Sequence, residues 1–132
     1  MLVWQQILQV RLQGDSLQAA VSGDEPAVYR FLIRIPGQKA GAYVGETVEL
    51  RRRVYQYMNP GPSQQTNIWL SAQFRGALSK NGTVVMEVMD LASVPPIGNL
   101  GLPNLQMKYW RRLLEAAGCL EAQGEGFEIL NR

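Results

Sequence analysis

Histidine is absent from the chain, and cysteine occurs once, at Cys119. The first absence excludes Ser-His and Cys-His nucleophilic catalysis, a histidine general base, and zinc sites built on imidazole. The second excludes an internal disulfide framework and an all-thiolate zinc site, and it suits a reducing, cytoplasmic setting. GxxxxGKS/T, GxGxxG and GxSxG patterns are missing, so no phosphate loop, dinucleotide fingerprint or nucleophile elbow is on offer. No apolar run approaches the roughly 18 residues that span a bilayer. The opening Met1-Leu2-Val3-Trp4-Gln5-Gln6 lacks the basic start and unbroken apolar core of a signal peptide. The expectation is therefore a non-enzymatic protein, off the membrane, with neither cofactor nor metal.

What is present describes a surface. The 132 residues fit one globular unit, with 46% hydrophobic and 18% charged residues. Thirteen glycines and seven prolines favour many turns. The net charge of +2 is unevenly spread: residues 1–25 carry −2, residues 26–80 carry +6, and residues 81–132 carry −2. Such a concentration points to one basic face. The same middle segment holds seven of the eleven aromatic residues, Tyr29, Phe31, Tyr43, Tyr55, Tyr57, Trp69 and Phe74.

Alternating apolar residues predict a strand over roughly 4–13 and a short one over 17–21, separated by the turn Gly14-Asp15-Ser16. A third spans 27–35, rich in β-branched and aromatic residues, with Tyr29, Phe31, Ile33 and Ile35 on one face. Residues 36–45, with Gly37, Gly41 and Gly45, read as a loop carrying Lys39 and Tyr43. Strands are then expected over 47–58 and 67–76 around the break Asn59-Pro60-Gly61-Pro62-Ser63. Asn81-Gly82 signals a type I′ hairpin into a sixth strand over 83–91. The expected fold is mainly β, a small six-stranded antiparallel barrel over 1–93. Residues 94–132 would add a Pro/Gly connector, a C-terminal helix over 105–117 capped by Asn104 and Gly118, and a terminal hairpin around Gly124-Glu125-Gly126. The helix stripe Leu105, Tyr109, Leu113 and Ala116/Ala117, widened by Trp110 and Leu114, is too apolar for solvent and should pack on the barrel or on another subunit.

By strand parity, Arg51, Arg53, Tyr55 and Tyr57 share a face of residues 47–58, while Arg52 interrupts the apolar face. Trp69 and Arg75 share the matching face of residues 67–76. Pairing the two through the 59–66 loop would place three rings beside several guanidinium groups. Bases stack on such rings and phosphates follow such cations. In strand count and surface pattern, though in no family motif, the arrangement resembles an oligonucleotide-binding (OB) barrel. The resemblance implies a module that binds single-stranded DNA or RNA. Tyr55, Tyr57 and Trp69 would stack on bases; Arg51, Arg53 and Arg75 would neutralise phosphates, helped by Lys39 and Lys80 from loops.

The second reading is a protein-interaction subunit, such as a homodimer, whose aromatic hairpin and apolar helix mediate assembly, since tyrosine, tryptophan and arginine also mark interfaces. Residues 113–128 resemble the last helix and wing of a winged helix, but Glu121, Glu125 and Glu128 would repel a phosphate backbone. Cys119 reads as a packing residue. Glu87 and Asp90, three apart on a strand, point to opposite faces and make no acid–base pair.

Overall fold

The computed structural model describes residues 2–131. Its centre is β4, Ala27–Arg34, in which all but Arg34 are buried. Tyr29, Phe31 and Ile33 enter one core and Val28 and Leu32 enter cores on the opposite face. A strand buried on both sides must lie inside a sheet covered on both sides. The neighbours of β4 are β5, Gly41–Thr47, and β6, Thr83–Met89, both antiparallel to it. Outside β6 runs β1, Trp4–Gln9, antiparallel with a register shift between Gln6 and Leu8. Outside β5 runs β7, Glu128–Ile129, which is parallel. A separate two-stranded sheet pairs β2, Arg11–Gln13, with β3, Ser16–Gln18.

This corrects the expected fold. The main sheet is open, five-stranded and mixed, in the order β1-β6-β4-β5-β7, and is not a six-stranded antiparallel barrel. The two segments predicted as aromatic strands are helices: α1, Leu50–Met58, and α2, Gln65–Ser79. In α1 the buried residues are Leu50, Val54, Tyr57 and Met58, the i, i+4, i+7, i+8 spacing of a helix face. In α2 they are Leu70, Ser71, Phe74 and Ala77. Strong helix formers, arginine in α1 and leucine, glutamine and alanine in α2, outnumber the β-branched residues of each segment, which favours the helix. Together they cover the Tyr29–Phe31 face of the sheet.

The expected loop at 36–45 contains most of β5 instead. Ala42 and Val44 have no exposed surface. Gly45 stands opposite Tyr29 on β4, and a Cβ there would run into the Tyr29 ring and hydroxyl. Glycine is thus placed where a neighbouring ring lies across the strand. Asn81-Gly82 does form a tight turn, with Asn81 at φ 60°, but it joins α2 to β6 rather than two strands.

The last helix, α3, runs Lys108–Gly124, later and longer than expected. Asn104 accepts from the Gln106 N–H at 3.0 Å in a turn upstream, and Met107 is the N-cap. Gly118 does not end α3; it lies inside it, where a Cβ would sit 3.1 Å from Val44 Cγ1 and 3.2 Å from the Trp4 ring. That closeness seats α3 on the other face of the sheet, where Trp110, Leu114 and Ala122 are buried against Val28, Val44, Leu32 and Ala42. The expected terminal hairpin is absent: residues 120–123 are helical, and β7 pairs with β5.

Two glycines should respond oppositely to alanine. Gly45→Ala forces the Tyr29 ring away and should cost about 1–3 kcal/mol. Gly76, inside α2 with nothing within 4 Å of its added Cβ, should gain about 0.5–1 kcal/mol as alanine. Urea unfolding of both variants measures the pair.

Candidate functional site

Two covers on opposite faces of a sheet leave a groove where the sheet edge passes between them. β7 pairs only with Gly41 and Ala42. At Val44 the edge is closed by a side chain: Asn131 accepts from the Val44 N–H at 3.0 Å and donates to its carbonyl at 2.6 Å. At Glu46 the carbonyl accepts from Arg53 Nη1 at 3.5 Å, and Glu115 lines the same concavity.

Above this edge lies a concavity of about 470 Å³. Arg52, Arg53 and Gln56 of α1 line one wall, Lys108, Arg111 and Arg112 of α3 the other, and residues 46–49 the floor. A second concavity of about 410 Å³ shares Glu46, Arg53 and Arg112 and adds Tyr29, Tyr43, Gly45 and Glu115. Five cationic side chains thus meet three carboxylates in one groove, counting Glu46, Glu49 and Glu115.

The cations differ in freedom. Arg111 is buried, with Nε 3.0 Å from Glu46 Oε1 and Nη1 donating to the carbonyls of Leu105 at 2.8 Å and Gln106 at 3.2 Å. It clamps the start of α3 and its upstream turn to β5. Arg52 makes an exposed pair with Glu49 at 3.2 Å, which water screens. Among the described residues, Lys108 and Arg112 form no ion pair. These two and Arg52 are the charges a ligand would meet. Exposed Tyr55 is three residues from Arg52 on α1, and exposed Tyr109 is three from Arg112 on α3. That spacing makes each ring a neighbour of its guanidinium on the helix surface.

Beneath Arg53 lies a tyrosine cluster. The Tyr29 and Tyr57 hydroxyls share a hydrogen bond of 2.5 Å, and Tyr43 stands edge-on to Tyr57 with ring centroids 6.2 Å apart. Burial pushes the phenol pKa of all three well above the usual tyrosine range, while the Arg53 charge pulls each partly back. Burial, then the charge of Glu46, raises the Glu115 carboxyl. Cys119 is half-buried beside the α3 core, and burial, then Glu115, raises its thiol, making it a poor nucleophile.

The expected site residues are dispersed. Arg51, Arg53 and Tyr55 lie on α1, Arg53 in the groove, Tyr55 exposed one turn from Arg52, and Arg51 on the surface with Asp24 at 3.9 Å. Tyr57 is 1% exposed and belongs to the core, so no base can stack on it. Trp69 packs half-buried against the core under α1 and α2. Arg75 donates to the Asp15 carbonyl and to Ser71 Oγ, binding α2 to the turn between β2 and β3. Lys39 lines a separate small concavity beside Gly41 and Glu128, and exposed Lys80 caps the end of α2. The stacking platform of paired strands does not exist, because its two strands are helices.

Sequence reasoning missed Lys108, Arg111 and Arg112. The signal was there, a basic K-x-x-R-R spacing that places Lys108 and Arg111 in one helical turn, hidden inside a segment of net negative charge. The chain matches no protein-family model, no curated protein and no solved structure among those compared with it.

The buried phenols should ionise only as the fold is lost. A group with a raised folded pKa stabilises fully below its unfolded value and loses that contribution as pH rises. Stability should therefore fall above about pH 10. The 295 nm absorbance step of Tyr29, Tyr43 and Tyr57 should coincide with loss of the far-ultraviolet dichroism; a step completed before unfolding would contradict their burial.

Proposed function

We propose that the protein is a non-enzymatic module that binds single-stranded nucleic acid, with its phosphate site in the groove between α1 and α3. The observation that carries this reading is the convergence of Arg52, Arg53, Lys108, Arg111 and Arg112 from two helices on one groove. Cations so arranged neutralise a polyanion, and the positive end of the α3 dipole at Lys108 adds to them. The exposed rings of Tyr55 and Tyr109, each one helical turn from a groove arginine, give unpaired bases a face to stack on, which a duplex would not use. Arg53 and Tyr55 keep the parts expected of them, while Lys108 and Arg112 take those first given to Arg51 and to residues elsewhere.

Anisotropy of a short, unstructured, labelled oligonucleotide tests the proposal. If about three phosphates are neutralised, affinity should fall about 100-fold between about 20 and about 200 mM salt. Lys108→Glu with Arg112→Glu should abolish binding without changing the melting temperature, and Tyr55→Ala should weaken it about 5-fold or more. Charge reversals at Lys39 and Lys80, outside the groove, should leave affinity within about 2-fold. No binding at the lower salt, or equal losses from the outside pair, would overturn the assignment.

Acidity should also tune the groove. A charged Glu115 repels phosphate, and its raised pKa means it is neutralised earlier than an ordinary carboxylate as pH falls. Binding should tighten from about pH 7 to about pH 5. Glu115→Gln should bind more tightly at neutral pH and show a flatter profile.

A further inference from the structure

On the face of the sheet opposite the tyrosines, a cavity of about 300 Å³ is lined by Leu2, Trp4, Arg30, Glu87, Glu121 and Glu125. None of these residues lines the nucleic-acid groove. Three carboxylates against one guanidinium leave the cavity with negative charge in excess. Glu121 stands in the last turn of α3 and Glu125 is its C-cap, with no basic residue in that turn. The unpaired carbonyls make this end of a helix negative as well, and it favours a cation. The chain gathers negative charge here and supplies too little positive charge of its own.

Hydrogen-bonding capacity is left over too. Arg30 is 6% exposed, and its Nε donates to Glu87 Oε1 at 2.7 Å. Its Nη1 is buried without a hydrogen bond, although Glu125 Oε1 lies 3.5 Å away. Among the described residues the second oxygen of Glu87 and both oxygens of Glu125 accept no hydrogen bond. Glu121 is already engaged, by the Trp4 indole N–H and the Leu2 N–H. A buried donor with no acceptor is costly, so the site calls for an oxygen at Arg30 and a cation at Glu87 and Glu125. We propose that this cavity binds a primary ammonium with a carbonyl or hydroxyl oxygen one carbon further on, as at a peptide N-terminus or in an amino alcohol. The ammonium donates to Glu87 and Glu125, the oxygen accepts from Arg30 Nη1, and Leu2 and Trp4 offer an apolar wall to a short side chain. A carboxylate in place of that oxygen is disfavoured, because it would meet three groups of its own charge. A metal ion is a poor substitute, since no group of three or more His, Cys, Asp or Glu among the described residues is arranged to hold one. The volume is at the small end for ligand sites and suits a single residue.

The Trp4 indole N–H, bonded to Glu121 in the cavity wall, is the reporter. In proton–nitrogen correlation spectra of the full chain, leucinamide should shift that signal saturably, and a Trp4→Phe spectrum assigns it. N-acetyl-leucinamide, which has no charge, should leave the signal in place. Isopentylamine, which has no oxygen, should bind about 10-fold more weakly than leucinamide. Glu125→Gln, at a half-exposed position, should weaken leucinamide about 10-fold and leave oligonucleotide affinity within about 2-fold. Leucinol and a leucine-initiated tripeptide distinguish the two sources: whichever binds more tightly names the one the site takes. The proposal is overturned if neither leucinamide nor leucinol gives a saturable shift, or if the acetylated compound or isopentylamine binds as well as leucinamide. An unchanged leucinamide affinity in Glu125→Gln overturns it too.

Discussion

The seat of Tyr29 over Gly45 is the contact on which most of the molecule depends. The ring crosses from β4 onto β5 at a position where any side chain would expel it. Its hydroxyl then meets Tyr57 of α1, so one residue joins two strands and a helix. Tyr29 meets Phe31 and Tyr57 edge-on at centroid distances of 5.9 and 6.1 Å, and Phe31 in turn packs against Tyr57 at 5.3 Å and Phe74 at 4.7 Å. Fixing α1 in this way fixes Arg53 above the hydroxyls, and with it one wall of the groove. A change of packing in the core would therefore be felt as a change in surface charge geometry.

The opposite face uses a charge for a similar purpose. Arg30 is buried on β4, 2.7 Å from Glu87 on β6, with its guanidinium 4.5 Å from the Trp4 ring centroid and 5.8 Å from that of Phe127. An ion removed from water is tolerated only where partner and geometry are both good. Here two carboxylates, Glu87 and, at 3.5 Å, Glu125, and two ring faces surround the guanidinium, joining β1, β4, β6 and the segment after α3. Glu121 takes the Trp4 indole N–H at 3.1 Å and the Leu2 N–H at 2.8 Å. The last helix is thereby held to the first strand.

How much of this was legible depended on whether two periodicities disagreed. β4 and β6 were readable because their β-branched and aromatic residues alternate and suit little else. In α1, Leu50, Val54 and Met58 are four apart, a spacing that satisfies alternation and a helix face alike. Arg52, stranded on the apolar side of the strand reading, was the residue that distinguished them; on the helix it faces solvent. Leu70 and Phe74 carry the same ambiguity in α2. Gly41 and Gly45 disguised β5 as a loop, because the reason for them lies on the neighbouring strand. Of the candidate site, the basic and aromatic character of residues 51–55 could be read directly. Its other wall, Lys108 to Arg112, could not, since only the three-dimensional path of the chain brings that turn beside α1.

The stopper on the β5 edge has a further consequence. A sheet edge invites strand addition from another molecule. Here Asn131 and Arg53 occupy outward hydrogen-bonding positions that an added strand would use, with Glu115 beside them in the groove. Arg53 also helps set the electrostatic character of the groove. Colloidal safety and ligand recognition are thereby written in the same side chain. A substitution that retunes the groove by replacing Arg53 also loosens the guard against aggregation, so the two properties are constrained to change together.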